Sequence, residues 1–197
     1  MSSRTDILKA IRQNKPAPTA LPALPGSPPA TGDLVARFKD ILEEIDAQVV
    51  EVKDGAAIAA ALAARYPDCE HIGSASAYVP GTLLLEEVDD PHALAVLDLF
   101  VCEGILGVAE NGGIWVRESQ MVHRAAPFLA QHLALVLDKR AIVGTMHDAY
   151  ERIQIDEEGF GLFIAGPSKT ADIEQALVIG AHGPRSLTVV LYSENAD

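Results

Sequence analysis

Residues 166–191 have the sequence GPSKTADIEQALVIGAHGPRSLTVVL, which is the most informative segment of the chain. An apolar run at 161–165 precedes it and a second apolar run, 187–192, closes it, so a strand is predicted on each side. The segment 171–181 between them predicts a helix, which the following Gly-Pro pair ends because proline cannot continue a helix. The stretch therefore predicts a strand–helix–strand unit, the building block of a parallel sheet.

The rest of the chain repeats this alternation of helices and apolar strands. Apolar residues at helical spacing over 33–47 predict a helix, and Asp54 is well placed to cap a second one. Asn111-Gly112 between two apolar runs predicts a hairpin, which adds an antiparallel element. The pattern therefore predicts an α/β fold with a mostly parallel sheet covered on both faces. The predicted helices are 5–13, 33–47, 54–65 and 139–153, and the predicted strands are 48–52, 70–74, 94–102, 105–109, 113–117 and 133–138.

The chain is predicted to divide into a tail and one domain. Six of its 12 prolines lie between Pro16 and Pro29, a density that excludes a helix or a central strand there. Residues 1–30 are therefore predicted to form an N-terminal helix and a proline-rich connector, and residues 31–197 the α/β domain. The short helix could dock on the body or on a neighbouring subunit, so a homo-oligomer is left open.

The composition excludes several classes of partner. A net charge of −13, from 28 acidic and 15 basic residues, repels phosphate backbones and anionic lipid, and no basic stripe offsets it. The longest apolar run, 93–101, is shorter than the ~20 residues of a membrane span, and charges stand where a signal peptide would have its apolar core. We therefore expect no nucleic acid partner, no membrane and a cytoplasmic protein.

The two cysteines, Cys69 and Cys102, have no CxxC partner. The chain therefore offers no thiol redox motif, no zinc finger and no iron–sulfur ligand set of its own. His123 and His132 do not have the i, i+4 spacing of a helical metal pair, so no metal site is predicted. His132 instead lies at one end of the predicted strand 133–138, where it could hydrogen-bond a ligand.

A candidate anion site lies between a predicted strand and a predicted helix, at Gly166, Ser168, Lys169 and Thr170. At such a helix start the free backbone N–H groups and the helix dipole favour a carboxylate or a phosphate, and Lys169 adds a positive charge. The alternative is that Thr170 caps the helix and nothing binds. His182, at the predicted end of that helix, is either an acid/base group or a favourable charge beside a glycine stop.

Three segments carry a resemblance to a known family. Residues 166–191, with VAENGGIWV at 108–116 and PFLAQHLALVLDK at 127–139, are similar to the LUD (lactate utilisation) domain family, in particular its lactate-utilisation protein C members. The resemblance implies a three-layer α/β/α sandwich, like that of sugar-phosphate isomerases and CoA transferases. It also implies an association with oxidation of L-lactate to pyruvate beside iron–sulfur subunits, so any cluster is expected in a partner.

Glu110-Asn111-Gly112 resembles the Ser-Glu-Asn-Gly segment of CoA transferases, in which the glutamate forms an acyl–CoA thioester intermediate. Here Ala109 replaces the serine. The alternative is a type I′ turn at Asn111-Gly112 with Glu110 merely preceding it. We therefore expect Glu110 to border a substrate cleft, with Asn111 and Gly112 beside it, without acting as the nucleophile.

Three functions follow from the residues and the resemblance. The favoured one is an accessory or substrate-binding subunit of an iron–sulfur system that oxidises L-lactate, which binds a small organic acid or a phosphate-bearing ligand. The second is a stand-alone CoA-transferase-like or isomerase-like enzyme acting on a small carboxylate, and the third is an organic-acid sensor. The sequence leaves open whether the chain is an enzyme. The candidate binding residues are Gly166, Ser168, Lys169, Thr170, Asn111, Gly112, His132 and His182, with Glu110 as the candidate catalytic residue.

Overall fold

The computed structural model describes residues 3–20, 32–154, 159–173 and 176–193. Within these ranges α-helices alternate with strands over residues 34–74, as the apolar pattern predicts, whereas 99–117 and 161–192 are successive strands without an α-helix between them. The helices are α1 (Ser3–Gln13), α2 (Leu34–Glu44), α3 (Ile58–Arg65), α4 (Ala126–Leu129) and α5 (Met146–Arg152). The strands are β1 (Gln48–Glu51), β2 (Ile72–Ser74), β3 (Leu99–Glu103), β4 (Leu106–Val108), β5 (Ile114–Arg117), β6 (His132–Asp138), β7 (Ile142–Val143), β8 (Gly161–Ile164), β9 (Lys169–Ile173), β10 (Ala176–Ile179) and β11 (Ser186–Tyr192).

A five-stranded parallel sheet in the order β1-β11-β6-β3-β2 forms the centre of the domain. Strands β6 and β11 lie inside it and pair over their whole length, from His132 beside Ser186 to Asp138 beside Tyr192. Both strands are nearly continuous apolar runs, interrupted in β11 by the buried Thr188, because a parallel sheet with two covered faces buries the side chains in its centre. The predicted α/β fold with a mostly parallel sheet is confirmed.

The two faces of this sheet are covered differently. On one face, Ile58 and Leu62 of α3 are buried against Val101 and Val136. On the other, α2 inserts Phe38 into a larger core that also contains the inner face of a second sheet. This second sheet has the order β7-β4-β5-β8, and α5 covers its outer face through Ala149.

Helix α2 begins and ends at two aspartates. Asp33 caps its start, because its Oδ1 accepts hydrogen bonds from the N–H groups of Val35 and Ala36 at 2.9 and 3.1 Å. Asp46 ends it in the left-handed region, with φ 63°, and the next N–H, of Ala47, donates to the Leu42 carbonyl at 2.8 Å. This is the hydrogen bond of a Schellman motif, in which a left-handed residue satisfies the last carbonyls of a helix.

The antiparallel hairpin predicted around Asn111-Gly112 is confirmed as β4 and β5. Its loop is longer than a type I′ turn: the N–H of Val108 donates to the Gly113 carbonyl at 2.8 Å, so residues 109–112 lie inside the loop. Gly112 has φ +72°, whereas Asn111 lacks the positive φ that a type I′ turn needs at both central residues. The Asn111 side chain instead accepts the Gly113 N–H at 2.9 Å.

The predicted helix at 171–181 is wrong. Strands β9 and β10 form an antiparallel hairpin there, in which Thr170 lies opposite Val178 and Lys169 opposite Ile179. The N–H of Gly180 donates to the Ser168 carbonyl at 2.9 Å and closes the hairpin, so this glycine ends a strand rather than a helix. The β-branched residues of the segment favour a strand and outweigh its helical apolar spacing.

Two further elements are shorter than predicted. The strand expected at 94–102 covers only β3, because the preceding Pro91–Val96 forms a 3₁₀-helix that buries Leu94. The helix expected at 139–153 covers only α5, since Thr145 and Asp148 form a capping box that starts the helix there.

The N-terminal segment contains one helix and part of the proline-rich connector. Helix α1 forms as predicted, and all of its side chains are exposed, including the apolar Ile7, Leu8 and Ile11. The predicted connector falls partly outside the described residues, because 21–31 are not among them. Across the described ranges, none of the helices combines the length and the apolar character needed to cross a membrane.

Candidate functional site

Four of the predicted site residues converge on one cavity of about 320 Å³, here called the loop cavity. Gly166, Ser168 and Lys169 reach it from the turn between β8 and β9, and His182 reaches it from the segment before β11. Its remaining wall is mostly apolar. The other lining residues are Pro127, Phe128, Leu133, Phe163, Ile164, Ala165, Pro167, Gly183 and Pro184.

Close backbone packing fixes the turn that lines the loop cavity. Gly166 has φ +73°, and a Cβ at this position would lie 2.8 Å from the carbonyl oxygen of Ile45. The N–H of Ser168 donates to the Pro184 carbonyl at 3.0 Å, which holds the turn against the segment before β11. Gly183 leaves room for this crossing, because a Cβ there would lie 3.0 Å from the Cβ of Ser168.

The structure corrects the physical basis of the predicted anion site. No helix begins after Thr170, which lies in β9, so a helix dipole is not available. The Ser168 N–H is occupied by Pro184, so it cannot serve an anion either. Side chains remain as donors: the Ser168 hydroxyl has no hydrogen-bond partner among the described residues, and His182 is exposed.

Lys169 carries the positive charge of the loop cavity, but it is already paired. Its Nζ lies 2.5 Å from Oδ2 of Asp46, the left-handed residue that ends α2. The Asp46 side chain is 57 % exposed, so this is a surface ion pair of modest strength. An anionic ligand would therefore compete with Asp46 for the lysine.

Glu110, Asn111 and Gly112 do not line the loop cavity, contrary to the expectation that Glu110 borders the cleft. The Glu110 Oε2 accepts the N–H of Met146, the first residue of α5, at 2.9 Å. The carboxylate thus satisfies a free donor at the start of that helix. Gly112 packs on Ile45, since a Cβ there would lie 2.9 Å from the Ile45 Cδ1.

His132 lies in a different place from the other candidates, in a cleft of about 410 Å³ here called the amino-edge cleft. It is the first residue of β6, so it lies at the amino end of the parallel strands, whereas ligands of open α/β sheets usually bind at the carboxyl ends. Its Nδ1 is 2.8 Å from the Ser186 Oγ, and its ring packs on that of Tyr66 with centroids 5.1 Å apart. The sequence analysis missed Ser186 and Tyr66, because Ser186 is brought beside His132 by the strand register and Tyr66 by the packing of the end of α3.

Burial lowers the pKa of His132 below the ordinary 6.5, and the positive charge of Arg185 adds to this, while Asp98 opposes it. The folded state therefore disfavours the protonated ring, and the unfolded chain binds the proton first as the pH falls. We expect the free energy of unfolding to decrease as the pH falls from about 6.5 through the folded pKa. His132→Asn should reduce this slope.

Urea denaturation of both proteins from about pH 7.5 down to about pH 5 measures the difference. A wild-type slope that the substitution leaves unchanged would contradict the prediction.

His123 and its neighbour Arg124 have structural contacts, and the two cysteines lie on opposite faces of the central sheet. His123 Nε2 lies 2.8 Å from the Leu85 carbonyl, and Arg124 forms a two-fold hydrogen bond with Glu118. Cys102 is buried on the face of the central sheet that contacts α2, while Cys69 packs on the face that contacts α3. In the part of the chain that the structure describes, no group of three or more His, Cys, Asp or Glu residues could hold a metal ion.

The comparison with known proteins assigns the chain to a family. The family model of the LUD domain matches residues 86–192, which is more than half of the chain and includes both the loop cavity and β11. This chain belongs to the LUD domain family. The match covers β3 to β11, so the family model includes the three inner strands of the central sheet, β3, β6 and β11.

Curated relatives of this LUD domain match over somewhat less than half of the chain. Lactate utilization protein C of Shouchella clausii is 32 % identical over 94 residues, which cover 45 % of this chain and 41 % of that protein. The protein of the same name from Bacillus pumilus is 37 % identical over 83 residues, covering 39 % of this chain and 35 % of that protein. An uncharacterised protein of Neisseria meningitidis is 32 % identical over 87 residues. The matched stretch thus spans about two-fifths of the length of these relatives.

A solved structure resembles this LUD domain over most of its length. The crystal structure of a DUF162 family protein from Deinococcus radiodurans superposes with a TM-score of 0.65, covering 81 % of this chain and 96 % of that one. The two sequences are 15 % identical, so the similarity concerns the fold alone.

Proposed function

We propose that this LUD domain serves lactate utilisation by binding a small organic anion in the loop cavity. The observation that carries the proposal is the convergence of Ser168, Lys169 and His182, from two separate segments, on one cavity with an apolar wall. A hydroxyl, an ammonium and an imidazole suit a carboxylate with a neighbouring oxygen, and the wall suits a methyl group. Lactate and pyruvate have this chemistry, and the curated relatives named lactate utilization protein C support it.

In this proposal the LUD domain is an accessory or substrate-binding subunit, and electrons pass through an iron–sulfur oxidoreductase partner. Cys69 and Cys102 lie on opposite faces of the central sheet, so they are not placed to hold a cluster together. The exposed Phe128 beside the loop cavity offers the partner an apolar contact close to the ligand.

Lys169 provides the sharpest test of the bound anion. Because a hydrogen bond to a charged group contributes about 1.5–3 kcal/mol, Lys169→Met should weaken binding of L-lactate or pyruvate by about tenfold or more. Asp46→Asn should strengthen it by up to about fivefold, since it removes the competing carboxylate from an exposed pair. Asparagine tolerates the left-handed conformation of position 46, so the end of α2 should be preserved.

Isothermal titration calorimetry with L-lactate, pyruvate and phosphate measures these affinities. Lys53→Met is the matched control, because Lys53 is exposed and lies outside the loop cavity. Equal effects of the Lys53 and Lys169 variants would show that only the net charge matters and would overturn the assignment of this cavity. Tighter binding of phosphate than of both acids would support the cavity as an anion site but would change the proposed class of ligand from a carboxylate to a phosphate.

A further inference from the structure

The first residues of the five strands of the central sheet lie together at its amino edge, and none of them lines the loop cavity. Strand register places Ile72 beside Leu99, Leu99 beside His132, and His132 beside Ser186. Gln48 begins the next strand along. One end of this row is therefore apolar and the other polar. The C-terminal part of α3 lies over both ends, through Tyr66.

The polar end is a connected set of hydrogen-bonding groups. The Tyr66 hydroxyl lies 2.7 Å from the Thr188 Oγ1 and 3.3 Å from the Ser186 Oγ, which in turn contacts His132. Arg65 lines the same amino-edge cleft and donates to the amide oxygen of Gln48. In the described part of the chain its guanidinium forms no ion pair within 4 Å, so its charge is not neutralised by a direct contact.

The apolar end is a separate pocket of about 190 Å³ between α3 and the segment that follows β2. Leu62 and Ala63 of α3 form one wall, and Ile72, Val79 and Leu99 form the other. Tyr66 lines both this pocket and the amino-edge cleft. Its ring therefore separates a carbon-lined space from a polar one, and a single ligand that passes the ring could occupy both.

We propose that this edge is a second ligand site, which binds a carboxylic acid with a short aliphatic chain. The carboxylate is received by Arg65 and by the His132–Ser186 pair, and the chain enters the pocket behind Tyr66. A methylene group fills about the same ~30 Å³ as a water molecule in the liquid, so the pocket has room for about six carbons. The site is independent of the loop cavity, and its ligand need not be a hydroxy acid.

The neutral ring of His132 can donate a hydrogen bond to the carboxylate of this ligand. Burial lowers the pKa of His132, so the ring is mostly neutral at pH 7. When its Nδ1 accepts the Ser186 hydroxyl, the Nε2–H remains as a donor for a carboxylate oxygen. Asp68 lies on the rim of the same cleft and opposes an anion there, which makes it a useful position for a substitution.

The test is a titration with straight-chain carboxylates from butyrate to decanoate, followed by calorimetry and by methyl chemical shifts of Leu62, Ala63 and Val79. We expect the affinity to rise about fourfold per methylene up to about six chain carbons and then to level off, because each buried methylene adds a fixed increment. Hexanol, which lacks the charge, should bind at least about tenfold more weakly than heptanoate. An affinity that does not depend on chain length, or no binding at millimolar acid, would overturn the proposal.

Three substitutions locate the two halves of the site. Arg65→Gln should weaken heptanoate binding by about tenfold, whereas Arg37→Gln, on α2, should leave it unchanged. Ala63→Phe should fill the pocket and abolish the chain-length dependence, and Asp68→Asn should strengthen binding. Thermal unfolding confirms that each variant folds. Binding that is lost in Lys169→Met but kept in Arg65→Gln would place the acid in the loop cavity and refute the second site.

Discussion

Replacing Phe38 by alanine is expected to lower the free energy of unfolding by about 3–5 kcal/mol. Phe38 is fully buried and extends from α2 into the core between the two sheets. Its ring lies directly against β4: a Cβ added to Gly107 would be 2.9 Å from the Phe38 Cζ. The Phe38 ring fills the space beside Gly107. Truncation of the ring therefore leaves a cavity, because Gly107 has no side chain that could fill it.

Chemical denaturation of the wild type and Phe38→Ala measures this loss. Phe128→Ala is the control, because Phe128 is 42 % exposed and should cost less than about 1 kcal/mol. Similar losses in the two variants would show that α2 does not hold the two sheets together as described.

The second large effect is expected from Gly166→Ala, at the turn of the loop cavity. Alanine in the left-handed region costs about 1–2 kcal/mol, and the new Cβ would press on the carbonyl oxygen of Ile45. A backbone oxygen cannot turn away as a side chain can, so the contact adds a further ~1–2 kcal/mol of overpacking. We therefore expect a total loss of about 2–4 kcal/mol, together with weaker ligand binding in the loop cavity.

Gly159 separates the two contributions. It has φ +73°, the same as Gly166, but apart from its chain neighbours no atom of the described residues lies within 4 Å of an added Cβ. Gly159→Ala should therefore show only the conformational cost of about 1–2 kcal/mol. Denaturation of the two alanine variants side by side gives the cost of the contact, and equal losses would mean that the turn can move away from α2.

The sequence predicts the inner strands of the central sheet well because they are nearly continuous apolar runs. Strands β6 and β11 are each buried along most of their length, and such runs are recognisable without any information about their neighbours. The hairpin β4–β5 is predicted for a similar reason, since its turn carries the local signal of Asn111-Gly112.

The prediction fails where local signals conflict or where contacts are distant. Residues 171–181 contain both helical spacing and β-branched residues, and the hydrogen bond from Gly180 to Ser168 decides in favour of the hairpin. The sequence placed His132 at the amino end of its strand but could not place Ser186 beside it, because this depends on the parallel pairing of β6 with β11. Phe128 reaches the loop cavity from α4, which is far from Ser168 in the chain, so no spacing connects the two residues.

Ile45 has a consequence for how the molecule tolerates change. The hairpin turn at Gly112 rests on its side chain, and the loop at Gly166 rests on its carbonyl. One residue at the end of α2 is thus a common support for two loops that are otherwise unconnected in sequence. The effects of substitutions at 45, 112 and 166 on the free energy of unfolding should for this reason be non-additive. The residue type that each of these positions tolerates is constrained by the other two.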